Sequence, residues 1–365
     1  MVIAAAYRVP VELRRLLFEP AGRGAATDLM LRYAEVHAWF AGEPVYGAIE
    51  RADYPPASYV LLLPFVHWPT LQATRAVWAL LCVAALVALA LLSAHALDGA
   101  RREERVFAAL VAPAMYASAA ALQFGQIGLL VLPLLIVGIF RLVERERTLG
   151  RDVVASALLT VALVKPTIAP PFLWMAFFRG GWRVTLVIVA SYLVLTLVAA
   201  HFQQPSLPEL VRAWLGQQTT IDFSRTHGSV YAWLAAIGYQ RHLAAVSLAI
   251  LAVLGLWIWR HRDADAWTLM AVCAIVARLW THHHRHDDVL MLVPIIALLR
   301  DVAAARARGR ADPVGTVALM LVWAFSVLPS TLLGEGAPGS ELLRNARTAV
   351  WIAALVLIGS RAGSR

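Results

Sequence analysis

The only lysine in the chain, Lys165, ends a largely apolar stretch and directly precedes Pro166, whereas the other strongly basic residues are 31 arginines. An ionisable side chain at membrane depth is costly, so its presence points to function. At a helix break it would bind an anion such as phosphate; the plainer reading is a lysine snorkelling from a helix end. The densest polar run is Trp280-Thr281-His282-His283-His284-Arg285-His286-Asp287-Asp288. Its four histidines and two carboxylates are a donor set that a divalent metal accepts, although no spacing matches a specific metal motif. Binding of phosphate, sugar hydroxyls or a leaving group fits the same residues, with Arg278 and Arg285 placed to pair with phosphate oxygens. No cofactor is expected beyond that optional metal. Asp28 has two readings: a charge or cap at a helix start, or a general base held at a membrane surface. Gln126, within Gln123-Phe124-Gly125-Gln126-Ile127-Gly128, serves a tight turn or contacts a sugar. Tyr54, Asp222, Arg225 and His227 are further polar candidates on the same side.

The elements that must position these residues are membrane helices. The 365 residues are 60% hydrophobic and only 15% charged, where a soluble domain carries nearer a quarter. Apolar segments recur at 71–96, 105–121, 127–143, 183–201, 242–259, 266–279, 289–299, 314–333 and 348–359, against a spanning requirement of about 20 residues. Only helices or a closed barrel satisfy the backbone in lipid. The alternation that barrel strands need is absent, so the fold class is an all-α polytopic bundle forming one integral membrane domain. Cys82 and Cys273 each fall inside an apolar span and read as small buried hydrophobes, with no disulfide framework or metal motif.

The net charge of +9 is explained by the membrane, and no nucleic-acid partner is expected. Arginines collect in short connections around 101–105, 141–151, 179–183, 260–262, 300–310 and 361–365, which the positive-inside rule places in the cytoplasm. The alternate connections, 1–54, 202–229, 280–288 and 334–345, hold most of the loop histidine, tryptophan, proline and acidic residues. They face outward. The first of them has no spanning segment before it, so a first transmembrane helix is expected to be missing; the alternative is a partial, tilted helix over 2–18.

Several pieces are irregular. Residues 29–40 carry Leu29, Tyr33, Val36 and Phe40 at helical spacing, with Arg32 and Glu35 off that stripe, which predicts a helix lying at the interface. Residues 57–65 are too short to span. Residues 207–215 predict a second amphipathic helix, started by the capping pair Ser206 and Glu209 with Pro208 in the first turn. Only 27 residues separate Arg151 from Arg179, and Lys165-Pro166 and Pro170-Pro171 interrupt them. Two half-length helices meeting inside the bilayer are the simplest solution, and such breaks mark binding sites.

Taken in order, these motifs resemble glycosyltransferase family 87. Asp28 followed by Tyr33, then Ala41-Gly42-Glu43-Pro44-Val45-Tyr46 and Tyr54-Pro55-Pro56, is similar to that family's first extracytoplasmic loop. Gly125-Gln126-Ile127-Gly128 looks like its Gly-Gln-x-Asn segment, with glycine where asparagine is usual. Leu163-Val164-Lys165-Pro166-Thr167 is similar to its Lys-Pro break, and the run from Trp280 to Asp288 to its late His/Asp-rich segment. The resemblance implies a GT-C-like bundle of about 9–11 transmembrane helices, with short, broken and amphipathic helices on the outer face. It implies transfer of a hexose, often mannose, from a polyprenyl-phosphate donor to a lipid or glycan acceptor, on the outer side of the inner (cytoplasmic) membrane. Asp28 would be the catalytic base. Lys165, Arg278, His282, His283, Arg285, Gln126, Tyr54 and Asp287 would bind donor phosphate and sugar, with no obligatory metal. The interfacial helices would admit the lipid donor from the membrane.

A transporter or flippase is the rival reading, since broken helices and an intramembrane lysine also suit transport. The absence of a second Lys-Pro break and the long amphipathic outer loops favour the enzyme. A non-catalytic subunit of an envelope-assembly complex is the third reading, and the presence of Asp28 argues against it.

Overall fold

The computed structural model describes residues 1–20, 24–143, 148–219, 233–234, 237–239, 242–328 and 339–363. Asp222, Arg225 and His227 lie outside them. The described residues form helices and no strand. In chain order these are α1 (Val2–Phe18), α2 (Thr27–Phe40), α3 (Pro56–Val66), α4 (Leu71–His95), α5 (Arg102–Ala114), α6 (Tyr116–Phe124), α7 (Gly128–Val143) and α8 (Leu149–Ala162). There follow α9 (Pro170–Met175), α10 (Trp182–His201), α11 (Leu207–Thr219), α12 (Leu243–Arg260), α13 (Ala266–Leu279), α14 (Leu292–Ala307), α15 (Pro313–Val327) and α16 (Ser340–Arg361).

Among the described residues, five helical stretches are long and apolar enough to cross a bilayer: α4, α5 with α6, α10, α12 and α16. Shorter apolar helices, including α3, α7, α13 and α15, stand beside them. This is the all-helical, polytopic membrane architecture that composition requires. Prolines mark some of the breaks between full and partial spans. The α5–α6 stretch breaks at Met115, whose ψ of 139° follows Pro113. The 151–179 segment folds as two short helices, α8 and α9, with Lys165 in the turn between them, and it closes on a π-helical turn at Ala176–Gly180. The amphipathic α11 opens as its sequence predicts: the Ser206 N–H and hydroxyl both donate to Glu209 Oε2, at 2.8 and 2.7 Å.

Two compact units share these helices. One comprises Pro10–Ala84 and Ala121–Asp222; the other comprises Met1–Val9, Ala85–Ala120 and Phe223–Arg365. In the first, α8 packs on α7 and α10, and α3 packs on α2 and α10. Arg75 of α4 donates to the carbonyls of Arg15 (3.1 Å), Leu16 and Glu19 (2.6 Å), covering the C-terminal carbonyls that α1 leaves open. In the second, α13 and α14 form a buried pair flanked by α15 and α16. Asp265 caps α13 through the Thr268 N–H (3.2 Å) and also pairs with Arg300 of α14 at 2.6 Å.

The helix α2 departs from its amphipathic reading. Leu29 and Val36 of the expected stripe are buried, but Tyr33 and Phe40 are only half-buried, while Trp39, Arg32 and Glu35, all off the stripe, are buried. The reason is that α2 docks on α3 and α10, which cover that side. The Trp39 indole N–H donates to the Ala199 carbonyl of α10 at 2.9 Å and its ring stacks on Tyr59 of α3. Gln203 then closes the helix end by donating to the carbonyls of Trp39 (2.8 Å) and Glu43 (3.2 Å).

Candidate active site

Four of the expected site residues fall in the first unit: Asp28, Tyr54, Gln126 and Lys165. Asp28 is half-buried in the first turn of α2. The N-cap position belongs to Ala26, with φ 51° and no side-chain cap, so Asp28 is not the capping residue. The left-handed Ala26 is held from outside the helix. Its N–H donates to the Gln123 carbonyl at 2.7 Å, and the Gln123 amide donates to the Gly24 carbonyl at 2.8 Å. A non-glycine residue in this region costs about 1–2 kcal/mol, and such strain persists only where the surroundings impose it.

The turn after Gln123 reaches the same place. Gly125 has φ +70°, and a Cβ there would sit 2.5 Å from Cβ of Leu29, the residue after Asp28. Only glycine allows the turn and helix α2 to approach so closely. One residue on, Gln126 Oε1 accepts a hydrogen bond from Lys165 Nζ at 3.1 Å. Lys165 is buried, at 6% exposure, with its backbone carbonyl accepting from Ile168 and Ala169. Three separate motifs, the Asp28 helix, the Gly125-Gln126 turn and the Lys165-Pro166 break, are therefore joined by direct contact.

Tyr54 is buried beneath a guanidinium that sequence reading passed over. Arg32 lies 4.0 Å above the Tyr54 ring centroid. Its Nη1 is 2.9 Å from Glu35 Oε2 and 3.3 Å from Asp53 Oδ1, and its Nη2 donates to the Arg51 carbonyl at 3.3 Å. Glu35 is fully buried, and among the described residues neither of its oxygens accepts a hydrogen bond. The 2.9 Å approach of Arg32 is thus not aligned for hydrogen bonding. Burial pushes the Glu35 carboxyl from its usual 4.5 up to about 8; Arg32 acts in the opposite direction, while Asp53 and Asp28 add to the rise. The sequence showed that Asp28, Arg32 and Glu35 share one helix face, at i, i+4 and i+7, but not that this face is buried.

The other five, Arg278, His282, His283, Arg285 and Asp287, belong to the second unit. Arg278 is fully buried and donates through Nε to Asp288 Oδ1 at 2.6 Å. Arg347 of α16 donates to the other oxygen at 2.7 Å. Both guanidiniums lie against the Trp351 ring, at 5.0 and 4.9 Å. Arg347 and Trp351 escaped the sequence reading because they lie about sixty residues beyond the cluster, inside an apolar helix. Asp287 Oδ2 pairs with His283 Nδ1 at 2.9 Å and accepts from the His284 N–H at 3.4 Å, so it opens the 3₁₀ turn Arg285–Met291. His282 and Arg285 are half-buried and His284 is exposed. Among the described residues no three histidine, cysteine, aspartate or glutamate side chains gather in a metal-holding arrangement. The two carboxylates of the run are engaged instead with His283 and with the two arginines.

Fold and site thus define a polytopic, all-helical membrane protein in which each unit gathers buried polar side chains around helix breaks and helix starts. The sequence pattern of glycosyltransferase family 87 matches residues 53–281, well over half of the chain, and the protein belongs to that family. Membership makes it a membrane glycosyltransferase and decides against the transport reading. The matched stretch contains Tyr54, Gln126, Lys165 and Arg278; Asp28 precedes it, and His282, His283, Arg285 and Asp287 follow it. No curated protein matches the chain in sequence.

Proposed function

We propose that the protein transfers a hexose, mannose by family resemblance, from a polyprenyl-phosphate donor to a lipid or glycan acceptor on the outer face of the inner membrane. The observation that carries this reading is the contact chain in the first unit, from Asp28 through Leu29 and Gly125 to Gln126 and Lys165. It puts a half-buried carboxylate and a buried ammonium on one connected scaffold, a base and an anion binder.

In this reading Asp28 takes the proton of the acceptor hydroxyl as that oxygen attacks the anomeric carbon. The bond from the anomeric carbon to the phosphate oxygen breaks, and its electron pair leaves with polyprenyl phosphate. That group departs already ionised, so no general acid is needed. Lys165, oriented by Gln126, offsets the developing phosphate charge, and such electrostatic stabilisation is commonly the largest catalytic contribution. Among the residues of the second unit, His282 and Arg285 are the more accessible candidates for donor contact. Arg278, His283 and Asp287 would support them through the pairs they already make. Helices α2 and α11 carry the outer surface against which a lipid-linked donor is presented.

The test is turnover of labelled polyprenyl-phosphate sugars by purified protein in lipid. Asp28→Asn should abolish transfer while donor binding persists, and Lys165→Ala should weaken donor binding. Full transfer by the Asp28 variant refutes the base assignment; unchanged donor affinity in the Lys165 variant refutes the phosphate assignment.

A further inference from the structure

We propose that Arg32 is a positioning residue for the transfer reaction, clamping the turn Arg51–Tyr54 onto the helix that carries Asp28, and that Glu35 competes with Asp53 for it. This deepens the reading above and rests on it. The guanidinium is used on all sides: Nη1 faces both Asp53 and Glu35, Nη2 holds the Arg51 carbonyl, and its face covers Tyr54. The turn it holds is strained, since Arg51 has φ 65° without being glycine; such strain needs an external restraint. The same turn receives α11, because the Trp214 indole N–H donates to the Asp53 carbonyl at 2.9 Å. Arg32 therefore ties α2, the first loop and the amphipathic helix α11 to one point, one helical turn beyond Asp28. A displacement of about 1 Å at a reacting group can cost on the order of 100-fold in rate.

Glu35 makes the clamp depend on protons. The charged and titratable groups around it are Arg32 and Asp28 on its own helix, Asp53 and Tyr46 from the loop, and Tyr59 from α3. While Glu35 is protonated, the charge of Arg32 is directed to Asp53. Burial holds that proton up to about pH 8. Above it, a buried carboxylate 2.9 Å from Nη1 draws the guanidinium away from Asp53, which sits 3.3 Å from the same nitrogen.

The experiment measures kcat and KM for the donor across pH 6–10, with hydrogen exchange of the Arg51–Tyr54 amides as a readout independent of turnover. Arg32→Lys is expected to lower kcat by roughly 10- to 100-fold with KM for the donor little changed, and to speed exchange in the turn; a compact ammonium lacks the planar fork that faces the carboxyl groups, the Arg51 carbonyl and the Tyr54 ring together. Wild-type kcat is expected to fall roughly tenfold between pH 7 and 9, as for one group ionising near 8. Glu35→Gln should remove that alkaline fall. Wild-type kcat in Arg32→Lys, or an unchanged alkaline limb in Glu35→Gln, overturns the proposal. If instead Asp28→Asn keeps full turnover, the base assignment fails by itself, and the exchange result still decides whether Arg32 holds the turn.

Discussion

Two buried ionic clusters sit in the two units, and they are near inversions of each other. In the first, one guanidinium, Arg32, stands between two carboxyl groups, Glu35 and Asp53, with Asp28 close enough to raise the Glu35 pKa. In the second, one carboxylate, Asp288, is shared by two guanidiniums, Arg278 and Arg347, stacked against Trp351. In the acid-rich cluster burial raises the Glu35 carboxyl to about 8, which favours its protonated form near neutral pH. The arginine-rich cluster has no such outlet, because arginine does not deprotonate in proteins; it keeps a surplus positive charge. In the function proposed above, the first cluster lies beside the helix of the base and the second supplies positive charge for anionic groups.

The same chemical change separates the two most sharply. Asp288→Asn leaves two buried guanidiniums without their carboxylate and should cost about 3–5 kcal/mol, read as a large drop in melting temperature in a fixed detergent. A shift of only a degree or two would mean the cluster is hydrated and the comparison does not hold. Next in size is the packing that joins α2 to the Gln126 turn: Gly125→Ala forces a Cβ to 2.5 Å from Leu29 and should cost about 1–3 kcal/mol, with loss of transfer. Retained stability and activity would show that the contact chain does not depend on that approach.

A smaller effect belongs to the edge of the second unit. Asp312 caps α15 through the Gly315 N–H (2.9 Å) and binds Arg361 at 2.8 and 2.9 Å. The Arg361 hydrogen bonds hold its carboxyl below the usual 3.8. Stability from this group is therefore complete above pH 3.8 and is lost as pH falls through the lower folded value. Asp312→Ala should cost about 1 kcal/mol at pH 7, and the cost should shrink in acid, as paired melts at pH 7 and pH 3 would show. Glu35→Gln is the counterpart of the first, and its effect is set by pH. With a folded pKa raised to about 8, Glu35 binds more protons folded than unfolded between pH 4.5 and 8, so wild-type stability declines over that window. The glutamine variant should match wild type near pH 4.5 and exceed it at pH 8; a melting curve that falls equally in both would remove the proton from the account.

Most of the helical plan was legible because bilayer length and proline breaks are written locally. Residues 71–96, 183–201 and 266–279 fold almost as read, and Lys165 lies at the predicted break. The face of α2 was not legible: a stripe of Leu29, Tyr33, Val36 and Phe40 assigns Arg32 and Glu35 to water, and only the docking of Trp39 on α10 turns them inward. Within the site, Lys165 and Gln126 were each visible, but their hydrogen bond spans 39 residues and needed the structure. Arg347 lacked any local sign, since its partner Asp288 is 59 residues away. Charge pairing across such distances carries no periodicity for a sequence to display.

The central claim is that Asp28 is the base of a sugar transfer from polyprenyl phosphate. The most direct measurement is single-turnover transfer of labelled sugar by wild type and Asp28→Asn, at matched donor occupancy. The account predicts full donor binding in both and transfer only in wild type, with loss on the order of 100-fold or more in the variant. Transfer at the wild-type rate by the loaded variant would contradict it.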